Sequence, residues 1–120
     1  MNDPIFSNWT EQFTRTILTS SLEAGDDHET AFLNKKLQEA VRMMNETSKS
    51  MQDVSDPRAF YNKLCVFIQD SKSCMFWYER SLEYEKVSSS NSRIILEQGK
   101  SMINMLEATL NVIRYQETLN

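Results

Sequence analysis

The sequence predicts an all-α protein, an antiparallel up-and-down four-helix bundle, on three observations. Only 2 Gly and 2 Pro stand among 120 residues, too few to turn the many corners of a β-sandwich or barrel. Four stretches repeat apolar residues at helical spacing. Short polar breaks separate them, and short connections make neighbouring helices antiparallel. No repeat and no linker divides residues 1–120, which read as a single domain burying about two-thirds of its unfolded surface.

The first helix is expected over about 7–23. Trp9, Phe13 and Ile17, with Thr16 and Ser20 between them, form a narrow stripe, and Gly25 supplies a stop before Asp26-Asp27. Its Thr and Ser residues have modest helix propensity, so tertiary packing has to hold it. The second helix, about 28–54, opens with Asp26 or Asp27 as N-cap and Glu29 in a box-like arrangement. Leu33, Leu37, Ala40, Val41, Met44, Ser48 and Met51 then keep to one face.

Ser55-Asp56-Pro57 restarts the chain as a third helix, about 57–86, because Asp56 can cap orphan amides and Pro57 suits the first helical position. Phe60, Leu64, Phe67, Ser71, Cys74, Met75, Tyr78 and Leu82 share one direction and make its core face. Val66, Trp77 and Tyr84 form a second stripe, and Tyr61, Cys65 and Phe76 a third, so this helix is apolar nearly all round. The fourth, about 91–117, follows the run Ser88-Ser89-Ser90-Asn91-Ser92. Ile95, Gly99, Met102, Ile103, Leu106, Leu110 and Ile113 face its core, while Ile94, Met105 and Val112 make a weaker second stripe. Gly99 costs about 1 kcal/mol in a helix interior relative to Ala, which marks it as a close helix crossing.

The counts also bound the chemistry. Two glycines cannot build a phosphate-cradling loop, and one His excludes a His-rich zinc site or paired imidazoles. His28 stands among Asp26, Asp27 and Glu29 at a helix start, where an exposed capping neighbourhood explains it better than a metal or acid–base site. Cys74 on the core face reads as a buried structural thiol. No catalytic residue, metal ligand or cofactor is assigned, and the chain reads as no enzyme.

The apolar runs Leu64–Ile68 and Cys74–Tyr78 fall far short of the roughly 20 residues that cross a bilayer. Met1–Phe6 lacks the basic and apolar regions of a secretory signal, and Cys65 and Cys74, nine residues apart on opposite sides of one helix, cannot pair within it. A cytoplasmic protein with reduced thiols is expected.

A net charge of −4 argues against a generic polyanion binder. Lys35, Arg42 and Lys49 nevertheless recur every seven residues, and Arg58 and Lys63 extend the line as candidate nucleic-acid contacts. Glu39 and Glu46 stand four residues after Lys35 and Arg42, the spacing of intrahelical ion pairs, so a solvated, charge-laced face is the simpler reading. The strongest signal is the surplus apolar surface of the third helix. Soluble monomers rarely expose contiguous patches of this size, so self-association is expected, with Tyr61, Phe76, Trp77 and Tyr84 at the subunit interface.

The run Phe60-Tyr61-Asn62-Lys63-Leu64, followed by Ile68-Gln69-Asp70 and Cys74-Met75-Phe76-Trp77, with Leu37 at a characteristic distance before it, resembles a known group. It is similar to the bacterial four-helix-bundle proteins encoded within 23S rRNA intervening sequences, a family that includes the accessory protein of diversity-generating retroelements. The family's second-helix signature is largely replaced: Glu39 stands for an arginine, Met43 for a serine, and Thr47-Ser48-Lys49-Ser50 for Asn-Ile-Ala-Glu. In the third helix Asp70 keeps an acidic group, whereas Ser73 replaces a second glutamate. The resemblance implies a homopentameric ring of bundles and, for basic members, binding to nucleic acid or to a reverse transcriptase. A pentamer of this chain would carry a formal charge of −20, five times the −4 of one copy, which opposes RNA.

Overall fold

Asp56 and Pro57 set the joint between the second and third helices. The Asp56 carboxylate accepts the Ala59 N–H at 3.0 Å, and its carbonyl accepts the Phe60 N–H at 2.9 Å. An N-cap with a proline at the first helical position satisfies orphan amides that would otherwise need water.

The structure, a computed structural model, describes residues 5–21, 28–85 and 90–119. Four helices account for all of them but 52–56: α1 (Ile5–Ser21), α2 (His28–Met51), α3 (Pro57–Glu85) and α4 (Ser90–Leu119), with no strand among the described residues. The expected stop at Gly25 and the caps at Asp26 and Asp27 lie outside the described residues. The starts of α1 and α4 differ from expectation by the one or two residues over which helix ends fray. The end of α2 is a larger correction, at Met51 rather than 54. Gln52 N–H turns back to Lys49 O and Val54 N–H to Met51 O, because the backbone has to leave helical geometry before Asp56 can act as a cap.

Cross-helix pairs give the topology. Asn45 donates to Thr14 Oγ1 at 3.0 Å and Gln52 to Ser7 Oγ, so α1 and α2 run antiparallel. Thr47 Oγ1 donates to Asp70 at 2.7 Å, and the Phe32 and Trp77 rings meet edge to face at 6.0 Å, which reverses α3 against α2. Glu79 pairs with Lys100 and Lys72 with Glu107, which reverses α4 against α3. The result is the antiparallel four-helix bundle, a rod of 54 × 22 × 22 Å.

Along α2 and α3 its core is the one the periodicity indicates, whereas Leu110 and Ile113, expected in the core of α4, are only half-buried. All seven residues expected on the α2 face are buried, as are Leu64, Phe67, Ser71, Cys74, Met75, Tyr78 and Leu82 of α3. Phe60 is half-buried against the core. Buried hydroxyls are satisfied within their own helices: Ser71 bonds the Phe67 carbonyl at 2.8 Å and Ser81 the Trp77 carbonyl at 2.9 Å. Gly99 is the close crossing. A Cβ there would overlap the Met75 Sδ and stand 3.1 Å from its Cε.

The inner face of α1 departs from expectation. Phe13 and Ile17 are buried, but Trp9 is 39% exposed and Thr16 is exposed. Ser7, Thr10 and Thr14 are buried in their place; Thr14 faces Asn45 of α2, and Ser7 faces Gln52 in the turn that follows α2. Thr14 Oγ1 donates to the Thr10 carbonyl at 2.9 Å while accepting from Asn45, which uses both roles of the hydroxyl.

Candidate functional site

The helices do not cover one another equally. α2 and α3 pack over the longest stretch, α4 lies along α3, and α1 lies along α2 but only grazes α3 and α4. With 17 residues against 30, α1 is about 26 Å long and α4 about 45 Å. The polar inner face of α1 gives it further reason to follow α2 rather than α4. Two opposite edges of the bundle therefore expose apolar side chains, each for its own reason.

The outer α2–α3 edge presents exposed rings. Phe32 and Met43, eleven residues apart and so about 20° apart around α2, are each nearly half exposed. Val66, Phe76 and Tyr84 are exposed on α3. Trp77 is half-buried and joins this surface to the core: its ring meets Phe32 at 6.0 Å and Phe76 at 4.9 Å, both edge to face. Two cations lie on the ring faces, Lys36 Nζ 5.7 Å from the Phe32 centroid and the Arg80 guanidinium 5.1 Å from that of Phe76. Such stacking holds a charge beside apolar area without burying it.

The α1–α4 edge is concave. A groove of about 910 Å³ is lined by Trp9 of α1, Met51 and Gln52 at the end of α2, Phe60 and Leu64 at the start of α3, and Ile94, Glu97, Gln98, Ser101, Met102, Met105, Leu106 and Thr109 of α4. Ile94, Met105 and Val112, the second stripe of α4, are 51–59% exposed on this side. The Trp9 ring stacks on Phe13 at 5.1 Å and forms part of the groove wall.

The four expected interface residues do not form one surface. Phe76, Trp77 and Tyr84 share the α2–α3 edge. Tyr61 lies roughly 22 Å further along α3, where Arg114 of α4 donates to its hydroxyl and lies 5.8 Å from its ring centroid. The residues that pattern reading passed over are Phe32 and Met43, whose eleven-residue spacing was the available signal, together with Lys36 and Arg80.

Lys35, Arg42 and Lys49 lie opposite the buried face of α2, exposed to solvent. Arg42 is spent on Glu46 at 3.0 Å, as its spacing suggests; among the described residues the other four basic candidates make no ion pair. Arg58 is exposed and Lys63 half-buried. His28 and Glu29 are exposed at the start of α2, and no three His, Cys, Asp or Glu side chains converge among the described residues. Both cysteines are free thiols. Burial pushes the Cys74 thiol up to about 12, which keeps it protonated and unreactive at neutral pH. Among the described residues, no helix is long and apolar enough to cross a membrane.

Comparison with family models, with curated proteins and with solved structures returns no match for this chain.

Proposed function

We propose that this chain is a non-catalytic helical-bundle protein that assembles with copies of itself and serves as an interaction scaffold in the cytoplasm. The observation that carries the reading is the α2–α3 edge, where Phe32 and Phe76 stay exposed against a half-buried Trp77 and Met43, Val66 and Tyr84 are exposed further along the two helices. Aromatic residues and Met are the types enriched at the centres of protein interfaces, and Lys36 and Arg80 supply a polar rim. A pentameric ring is the assembly favoured by the resemblance to the rRNA intervening-sequence proteins, and free thiols at Cys65 and Cys74 suit a reducing compartment. Light scattering at micromolar concentration tests the reading. A mass near 70 kDa, five times the 14.0 kDa of one chain, is expected, and a 14 kDa species overturns it.

A second reading, as an RNA-binding or reverse-transcriptase accessory protein, draws on the shared solvent face of Lys35, Arg42 and Lys49, extended by Arg58 and Lys63. It requires retention of structured RNA that falls steeply with salt; no retention on a filter at about 50 mM salt removes it.

A further inference from the structure

A ring of more than two identical chains needs a head-to-tail contact, in which two different patches of one chain meet their counterparts on its neighbours. The bundle carries two such patches on opposite edges, and they differ in shape and charge. The α2–α3 edge presents a ridge of rings crowned by Lys36 and Arg80. The α1–α4 edge presents a groove of about 910 Å³ with exposed apolar walls and Glu97 among its lining residues.

We infer that these are the two halves of one contact: the aromatic ridge of one copy seats in the α1–α4 groove of the next. The inference rests on the self-association proposed above and assigns the surfaces that carry it. Aromatic anchors filling apolar pockets supply most of the binding energy in protein interfaces, and here the anchors and the pocket lie on one chain. Charge discriminates between the ways two copies could meet. Ridge on ridge sets Lys36 and Arg80 against the same cations of the second copy, and groove on groove sets Glu97 against Glu97. Ridge in groove alone brings opposite signs together. The gap between α1 and α4 is then the seat for a neighbour's rings, and the rotation between successive copies decides whether the chain of contacts closes into a ring or runs on as a filament.

Mixing two disabled chains tests this. Phe76→Asp disables the ridge and Met105→Asp the groove, both at exposed positions, so circular dichroism should show unchanged helix content. Each variant alone should lose self-association by about thirtyfold or more. Mixed in equal amounts, they retain one intact ridge and one intact groove, and should form a species of about 28 kDa, twice the chain mass, that grows no further. Arg80→Glu and Glu97→Lys should each weaken assembly severalfold as single changes, and together in one chain should restore it. A mixture that stays at 14 kDa overturns the inference, as does either Asp variant assembling like the wild type. Those results leave self-association standing, whereas a wild-type chain of 14 kDa removes both.

Discussion

The α2–α3 interior and the α1–α4 edge are built from helices of the same bundle, yet one is filled and the other open. Between α2 and α3 long apolar faces meet, and Leu37, Met44, Phe67 and Tyr78 are sealed from solvent. Along the α1–α4 edge a short helix whose inner face mixes Ser and Thr with Phe13 and Ile17 lies beside the longest of the described helices. Its hydroxyls find partners on α2, at the cost of one buried atom, Asn45 Oδ1, that lacks a partner among the described residues. Coverage in a bundle thus depends on length and on side-chain chemistry together: a helix held by polar contacts to one neighbour leaves the other neighbour bare.

The difference between the two regions can be broken most directly by truncating one residue in each. Phe67→Ala, in the filled interior, should cost about 3–5 kcal/mol in urea unfolding, the price of a large cavity. Ile94→Ala, on the open edge, should change chain stability by no more than about 0.5 kcal/mol at a dilution where copies are apart. Equal losses would mean that the groove is as closed as the core.

Alkaline titration sharpens the same contrast through Cys74. Its thiol ionises near the ordinary 9.0 in the unfolded chain and at about 12 in the folded one. Between these values the unfolded chain has released a proton that the folded chain keeps, so stability falls as pH rises, by up to about 1.4 kcal/mol per pH unit. Thermal melts between pH 9 and 11 should show a steeper decline for the wild type than for Cys74→Ala. At pH 8 a thiol reagent should modify the half-buried Cys65, and Cys74 only on unfolding. An effect between those of the two truncations is expected at the α3–α4 crossing. Gly99→Ala gains about 1 kcal/mol in helix propensity but crowds Met75, and crowding in a packed core costs about 1–3 kcal/mol, so a net loss of about 1 kcal/mol is expected from chemical denaturation.

Much of this architecture was legible in the sequence where side-chain polarity reports burial. The seven-residue face of α2, the Asp56-Pro57 joint and the crossing at Gly99 all follow from periodicity or from the cost of a residue in its place. The inner face of α1 was not legible in that way. Ser7 and Thr14 are buried because Gln52 and Asn45 lie across from them and Thr14 has a backbone carbonyl to bond, and no count of apolar residues registers such partners. The candidate surface was half legible: the apolar excess of α3 pointed to Phe76, Trp77 and Tyr84. Its completion by Phe32 and Met43 depends on how α2 lies against α3, and the separation of Tyr61 depends on where Arg114 of α4 arrives.

The crossing at Gly99 also sets the axial position of α4. That helix carries two apolar stripes, and a smooth apolar surface would let it slide along α3 by a turn with little change in buried area. In the observed register the Met75 thioether fills the notch that Gly99 leaves. One turn in either direction would bring the side chain of Ile95 or Ile103 onto Met75, where a single Cβ already crowds the thioether. A missing methyl group thus works as an alignment mark, keeping Lys72 opposite Glu107 and Glu79 opposite Lys100, and with them the height at which the groove opens.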